Sequence, residues 1–241
     1  MVFRPQPPIL PGGNGSGVRR VDATMQVEIW SDVVCPWCYL GKRQFEQALE
    51  LFGHRDAVEV VYRSFELDPF APAGVTTPTV DMLASKYGMT PEQAHDAQRQ
   101  MEKRAAAAGL TFRMEGLSSG NTRDAHRLLH LAKARGRQAE LAERLHQAYF
   151  TDQASVFDHS SLADLAVGAG LDRGEVLGVL ASDQYGADVD ADEQLARSFG
   201  VSGVPFFVID RRYGISGAQP AEIIAQVLGQ AWADAESSAA G

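Results

Sequence analysis

Residues 26–41 read QVEIWSDVVCPWCYLG. Its first six residues, 26–31, carry the apolar pattern of a short buried strand, and the two cysteines of the chain, Cys35 and Cys38, follow directly. Two cysteines placed at random in a chain of this length would have this spacing only about once in a hundred times, by simple counting. The pair is therefore informative, and two cysteines are too few for a structural disulfide framework.

A helix and a second strand follow the cysteine motif. Apolar residues at helical spacing mark the helix, and Gly53 is its predicted end. These residues are Leu40, Phe45, Leu49 and Phe52. A cluster of β-branched and aromatic residues then predicts a strand at 58–62. A strand, a helix and a strand in this order form a βαβ unit, whose crossover is expected to be right-handed.

The start of a helix, directly after a buried strand, is a place where a thiol becomes reactive. Unpaired N–H groups and the partial positive charge of the helix N-terminus favour the thiolate of the leading cysteine. We therefore predict that Cys35 is an exposed nucleophile and that Cys38, one turn further in, attacks a mixed disulfide on Cys35. Pro36 has no N–H, so the helix start has one fewer amide to satisfy. Trp37 offers an apolar surface beside the cysteines. Both residues are predicted to contact substrate.

The chain from residue 76 to about 199 carries helical patterns and almost no strand pattern, which predicts an all-helical insertion. Thr90-Pro91-Glu92-Gln93 is a capping box with proline at the first helical position. Asn121 or Thr122 begins another helix, and a last helix is expected from about Asp190.

The periodicity changes again after Gly200. Val204-Pro205-Phe206-Phe207-Val208-Ile209 is a nearly continuous apolar strand, and a second short strand is expected at 214–216. Pro205 is compatible with the first strand because it stands at the beginning of it. An amphipathic helix that opens at Pro220 closes this ββα half.

These patterns divide the chain into four parts. Residues 25–75 and 188–234 form one α/β domain, and residues 76–187 form the helical insertion. The Pro- and Gly-rich residues 1–24 are predicted to be a disordered leader, and residues 235–241 a disordered tail.

Composition excludes several classes of partner. The formal net charge is -9, and no cluster of Lys and Arg is present to bind nucleic acid. No apolar run approaches the roughly 20 residues that span a bilayer. The first 24 residues also lack the apolar centre of a secretory signal. We therefore expect a soluble, cytoplasmic protein with no nucleic-acid partner and no membrane contact.

Zinc binding is the other chemistry of a CxxC pair. A structural zinc site needs four ligands, and the chain has no second cysteine pair. His126 and His130 share a helical face, but they lack the intervening Glu of a zinc protease motif. The acidic residues in 188–193 lack the spacing of a calcium loop. We predict no metal site.

Separated blocks in this order resemble those of DsbA-like thioredoxin proteins, and more closely the FrnE-type branch, which is related to 2-hydroxychromene-2-carboxylate isomerases. The blocks are SDVVCPWCYLG (31–41), NTRDAHRL (121–128), GVPFF (203–207) and SGAQP (216–220). The resemblance implies a thioredoxin fold of the α/β class. Its mixed central sheet would carry a large all-helical insertion between the βαβ and ββα halves.

The resemblance also implies roles for individual residues. In this family the Val204–Pro205 bond would be cis, and its loop would face the cysteine pair. The backbone of Val204 would pair with a substrate strand, so Val204 and Pro205 are predicted substrate-binding residues. Relatives often keep a buried acid six residues before the nucleophile, where this chain has Ile29. Water or Glu28 would then handle the proton of the resolving thiol.

Asn121, Thr122 and His126 allow two interpretations. A polar cap and a histidine on the helix surface explain them without any ligand. Alternatively, they lie over the cleft and touch a thiol peptide or a small substrate.

Three functions agree with this sequence. The first is a thiol-disulfide oxidoreductase that exchanges disulfides through the CPWC motif on protein or small thiol substrates. The second is a glutathione-dependent isomerase similar to 2-hydroxychromene-2-carboxylate isomerases, which usually carry serine at the first active position. The third is a redox-silent binding module. We predict the first, as an enzyme without a bound cofactor and with glutathione as the candidate co-substrate.

Overall fold

The computed structural model describes residues 2–3 and 24–239. The strands are β1 (Val2–Phe3), β2 (Met25–Ser31), β3 (Val58–Ser64), β4 (Thr76–Pro78), β5 (Ser118–Gly120), β6 (Phe206–Ile209) and β7 (Tyr213–Ser216). The helices are α1 (Pro36–Leu51), α2 (Thr79–Tyr87), α3 (Pro91–Ala107), α4 (Arg123–Ala134), α5 (Gln138–Gln147), α6 (His159–Gly168), α7 (Arg173–Leu180), α8 (Gly186–Ser198) and α9 (Ala221–Ala239). A short 3-10 turn (Arg55–Ala57) precedes β3, and a π-helical turn (Ala148–Asp152) follows α5.

The main sheet has the strand order β1-β7-β6-β2-β3. Strand β2 lies between β3 and β6; it runs parallel to β3, with Val27 opposite Val60, and antiparallel to β6, with Ile29 opposite Phe207. The predicted α/β class with a mixed central sheet is confirmed. The cysteine motif follows β2, so it emerges from an interior strand of the sheet rather than from an edge strand.

Helices cover both faces of the sheet because successive side chains of a strand point to opposite sides. On one face, Ile29 lies in the same core as Phe45 of α1, which stacks on Phe207 with ring centroids 5.7 Å apart. On the other face, Trp30 meets Phe199 edge to face at 5.7 Å, beside α8. Burial on both sides explains why β2 and β6 read as apolar runs.

The sequence predicts an all-helical insertion, and the structure corrects this prediction. A two-stranded antiparallel ribbon pairs β4 with β5, and Thr76 lies opposite Gly120. A Cβ atom on Gly120 would lie only 3.1 Å from the carbonyl oxygen of Val75, so the two backbones approach closely there. Each strand has three residues, too few for the alternation that reveals a strand in a sequence. The predicted capping box of Thr90 and Gln93 is present at α3.

The end of the chain also differs from its prediction. Helix α9 continues to Ala239, so the predicted disorder of residues 235–241 is wrong for the five residues that the structure describes there. Alanine and glutamate favour helix, so α9 extends beyond its packed part through residues 235–239. Helix α8 likewise begins at Gly186, earlier than the predicted Asp190.

At the other terminus, Val2 lies opposite Ile215 in an antiparallel pair between β1 and β7. The structure therefore forms a strand at Val2–Phe3, which pairs with a sheet edge, within the residues 1–24 that the sequence predicts to be a disordered leader. Residues 1, 4–23 and 240–241 lie outside the described part. Within residues 24–239, no helix combines the length and apolarity needed to cross a membrane.

Candidate active site

The cysteine motif lies at the junction between β2 and α1. Cys35 is the N-cap residue of α1 in an extended conformation (φ -88°, ψ 112°), and Pro36 occupies the first helical turn. A residue that precedes proline is disfavoured in the α region, so the sequence places the helix start at this point. The backbone N–H of Cys38 donates to the carbonyl of Cys35 at 3.0 Å. The two thiols are therefore one helical turn apart, as predicted.

Both cysteines are free and buried. Cys35 is 4% exposed and Cys38 is 2% exposed, so the prediction that Cys35 is exposed is wrong for the residue as a whole. The cause is the loop opposite, where the Val204 carbonyl oxygen lies 3.7 Å from Cys35 Sγ. Burial raises the pKa of Cys38 well above its ordinary value, and the neighbouring Cys35 raises it further.

We expect the two thiols to differ in reactivity with iodoacetamide at pH 7. Cys35 should be alkylated at least about ten times faster, because each unit by which the pKa of a thiol is raised lowers its thiolate fraction tenfold. Peptide mass spectrometry of time points measures both rates. The same protein in guanidinium chloride is the control, where the rates should converge. Equal rates in the folded protein would contradict the assignment of Cys38 as the shielded thiol.

The loop that carries Pro205 lies directly against the motif. The Val204–Pro205 bond is cis, and the backbone N–H of Gly217 donates to the Pro205 carbonyl at 2.9 Å. A Cβ atom on Gly41 would lie 2.7 Å from Pro205 Cγ, which is closer than real Cβ contacts allow. Glycine at 41 thus lets the proline ring pack on α1. The structure brings together Cys35, Val204 and Pro205, as the resemblance implied.

Replacing Gly41 with alanine is expected to slow disulfide exchange about tenfold and to cost about 1–3 kcal/mol of stability through overpacking. The added methyl must displace Pro205 and with it the carbonyl beside Cys35. Gly229→Ala is a matched control, because Gly229 also lies inside a helix and its Cβ would meet nothing within 4 Å. The control should keep full activity and gain about 0.5–1 kcal/mol. Thermal unfolding and an insulin-reduction assay measure both effects, and unchanged exchange in Gly41→Ala would contradict the contact.

Trp37 provides the exposed edge of this site. Its side chain is 41% exposed, and the guanidinium carbon of Arg104 in α3 lies 5.4 Å from the ring centroid. Pro36 beside it is half-buried. The insertion therefore reaches the rim of the cysteine site through a cation–π contact.

Asp32 organises the loop ahead of the cysteines, a role that the sequence did not reveal. Its carboxylate accepts from the Leu67 N–H at 2.8 Å and lies 3.3 Å from His126 Nε2. Its carbonyl accepts from the Cys35 N–H at 3.2 Å and lies 3.3 Å from His146 Nε2. One buried residue thus joins the motif to α4 and α5. A charged residue at the end of an apolar strand was the only signal of it in the sequence.

His126 is not a helix-surface residue, which corrects one of the two interpretations of the sequence. It is 1% exposed. Burial opposes protonation, but the hydrogen bond to Asp32 and the charge of Asp32 outweigh it and raise the pKa of His126. The pair ties α4 to the loop before Cys35. The sequence left this open because helical spacing alone does not show which face of α4 is covered.

Asn121 and Thr122 contribute to local structure. The Asn121 side chain donates to the carbonyl of Ala71 at 2.9 Å and accepts from the N–H of Arg123 at 2.9 Å. Thr122 is 2% exposed and is the N-cap residue of α4 without a side-chain cap bond. These contacts agree with the polar-cap interpretation. Asn121, rather than Thr122, satisfies the first amide of the helix.

Glu28 is a buried residue of β2. One carboxylate oxygen accepts from Arg63 at 2.6 Å, and the other accepts from Arg211 at 3.2 Å. Both oxygens are engaged in ion pairs, so the structure does not support Glu28 as the proton acceptor for Cys38. Within the described residues, no group of three His, Cys, Asp or Glu side chains is arranged to hold a metal ion.

Comparison with known proteins gives a consistent assignment. The model of the DSBA-like thioredoxin domain matches residues 26–229. The chain is 54% identical to a solved structure of a probable DsbA oxidoreductase from Streptomyces coelicolor, covering 87% of this chain and 90% of that one, with a TM-score of 0.84.

Two more distant structures share the fold. A 2-hydroxychromene-2-carboxylate isomerase is 15% identical, with 88% of this chain and 98% of that one covered and a TM-score of 0.62. The cytosolic disulfide reductase DsbM from Pseudomonas aeruginosa is 16% identical, with 85% and 98% covered and a TM-score of 0.60. Its structure with GSH is also similar, at a TM-score of 0.58. These results confirm the thioredoxin-like fold, and the chain belongs to the family of DsbA-like thioredoxin domains.

Proposed function

We propose that this protein is a thiol-disulfide oxidoreductase that uses Cys35 and Cys38 on protein or small-molecule thiol and disulfide substrates. The observation that carries the proposal is the arrangement of two free thiols one turn apart at the start of α1, with the Val204 carbonyl 3.7 Å from Cys35 Sγ. Membership of an oxidoreductase family supports the same chemistry.

In the proposed reaction, the Cys35 thiolate attacks a substrate disulfide and forms a mixed disulfide, while one substrate sulfur leaves as a thiolate. Cys38 then loses its proton and attacks Cys35 Sγ. The bond between Cys35 and the substrate breaks, and a Cys35–Cys38 disulfide forms. The protein pair is oxidised by two electrons, and the substrate disulfide is reduced to two thiols.

Substrate binding is proposed at the residues that surround Cys35. The backbone of Val204 would pair with an extended substrate strand, a mode that uses main-chain hydrogen bonds and tolerates many side chains. Pro205 has no N–H to compete for those bonds. The exposed ring of Trp37 and its neighbour Pro36 would contact the apolar part of the substrate.

The direction and location form part of the proposal. In a reducing cytoplasm the cysteine pair would be kept as thiols and would work as a reductase. Glutathione is the proposed co-substrate that returns the pair to the thiol form; the similarity to DsbM with GSH supports it. No bound cofactor is needed, because the cysteines themselves carry the electrons.

Parallel assays of the wild-type protein test the proposal. Insulin reduction with glutathione as electron donor should proceed well above the uncatalysed rate. Glutathione-dependent isomerisation of 2-hydroxychromene-2-carboxylate should stay at background, because Cys rather than Ser occupies the first active position. Isomerisation without insulin reduction would overturn the proposed function.

A further inference from the structure

The proposed reaction has not used Ser31, which interacts with Cys38, or Ser64, which is the neighbour of Ser31 on the next strand. Ser31 and Ser64 lie opposite each other in the parallel pair of β2 and β3, at the ends of both strands. Interactions with the Ser31 side chain and the Asp32 backbone lower the pKa of Cys38, against the larger effect of its burial. The Ser31 hydroxyl thus acts on the thiol that must lose a proton.

A small cavity extends from this point into the protein. Its volume is about 10 Å³, which is close to the space that one water molecule needs. It lies between the sheet and the helices α4 and α5, and both strand-end serines line it. The lining residues are Ser31, Val33, Tyr62, Arg63, Ser64, Leu129, Ala142 and His146. Hydroxyl groups on the lining give a water molecule in this cavity hydrogen-bond partners.

The titratable groups around the cavity differ in their ability to accept a proton. Arg63 stays protonated and only donates. His146 places its two ring nitrogens at the carbonyls of Ala142 (2.9 Å) and Asp32 (3.3 Å), and burial lowers its pKa to about 4, so it remains neutral near pH 7. Neither group can take a proton from the cavity at that pH.

His130 is a candidate acceptor that contacts Ser64 of the cavity lining. Its Nε2 lies 3.1 Å from Ser64 Oγ and 3.3 Å from Asp192 Oδ2. In the tautomer with an unprotonated Nε2, the ring accepts from Ser64, and a proton gained there is stabilised by the Asp192 carboxylate. Tyr185, whose ring centroid is 6.3 Å away, is the other ring that faces it. The His130 side chain is 9% exposed, so the route ends near solvent.

We propose that the proton of Cys38 leaves through the Ser31 hydroxyl, a water molecule in the cavity and the Ser64 hydroxyl to His130. The inference rests on the proposed function, in which Cys38 attacks the mixed disulfide. The buried position that carries an acid in related enzymes is the apolar Ile29 here, and Glu28 is held by its ion pairs. During attack, the S–H bond of Cys38 breaks, each hydroxyl passes on one proton and receives another, and His130 Nε2 gains one. The electron pair stays on Cys38 Sγ and forms the new S–S bond.

Single-turnover exchange between the reduced protein and a peptide disulfide tests the role of Ser31 and Ser64 in this proton route. Acid quenching and mass spectrometry separate the formation of the mixed disulfide from its resolution. Ser31→Ala and Ser64→Ala should leave the first step unchanged and slow the second at least about tenfold, since proton transfer by a positioned group contributes about 10²–10⁴-fold. The slowed step should also become proportional to hydroxide concentration, whereas the wild-type step should depend less steeply on pH. Ser31→Thr, which keeps the hydroxyl, should restore the wild-type profile.

Different results would overturn the proton route and the oxidoreductase function. If either alanine variant resolves the mixed disulfide with the wild-type rate and pH profile, the proton route is wrong while the oxidoreductase function stands. If the wild-type protein forms no mixed disulfide, the function itself falls, and the route falls with it. Ser64→Ala carries the test alone if Ser31→Ala does not fold, and Ser198→Ala in α8, far from the cavity in sequence and on an exposed surface, is the matched control.

Discussion

The Cys35→Ser variant is expected to lose insulin-reduction activity by at least about a thousandfold, because a serine hydroxyl stays protonated where a thiolate would attack. The loss should be chemical rather than structural. Cys35 is the N-cap residue of α1, and serine is a good N-cap, so the helix start should be retained. Turbidity during insulin reduction measures activity, and thermal unfolding measures the fold.

Cys38→Ser gives the complementary result. Its Cys35 should still attack the substrate, but the mixed disulfide should persist, because no second thiol is present to resolve it. Non-reducing electrophoresis with a disulfide substrate should show the covalent complex for Cys38→Ser and not for Cys35→Ser. A covalent complex formed equally well by Cys35→Ser would reverse the roles assigned to the two thiols.

The Arg63→Met variant is expected to lose about 3 kcal/mol of stability, near the lower end of the cost of breaking a buried ion pair. Arg63 on β3 joins Glu28 on β2, at 2.6 Å, to Asp192 on α8, at 2.9 Å. The two carboxylates are nearly inaccessible, with side chains 1% and 4% exposed. Removing the guanidinium leaves two negative charges with weaker compensation from Arg211 and the Ser64 N–H.

Thermal unfolding measures this loss, which corresponds to a fall in Tm of roughly 6–12 °C for a chain of this size. Arg135→Met is the matched control, because Arg135 pairs with Glu175 on the surface and such pairs contribute little. Its Tm should change little. Equal changes in the two variants would show that the link between β2, β3 and α8 does not stabilise the sheet.

The strongest sequence predictions concern features that depend on neighbours along the chain. The order of β2, α1 and β3, the capping box at Thr90 and the apolar strand β6 all follow from periodicity and local cap chemistry. The placement of Cys35 at the start of a helix follows from Pro36 in the same way. The ribbon of β4 and β5 was missed because its strands are three residues long and pair across the intervening helices α2 and α3.

Two thiols one turn apart at the start of a helix can be predicted from local sequence, because strand period, helix period and the restriction before proline act between near neighbours. What surrounds those thiols depends on the tertiary fold. Asp32 meets His126 across 94 positions of the chain, and Val204 meets Cys35 across 169. The cavity beside Ser31 likewise depends on how α4 and α5 pack on the sheet. Contacts at such separations arise from the burial of whole faces, and no short stretch of sequence records which polar groups that burial will bring together.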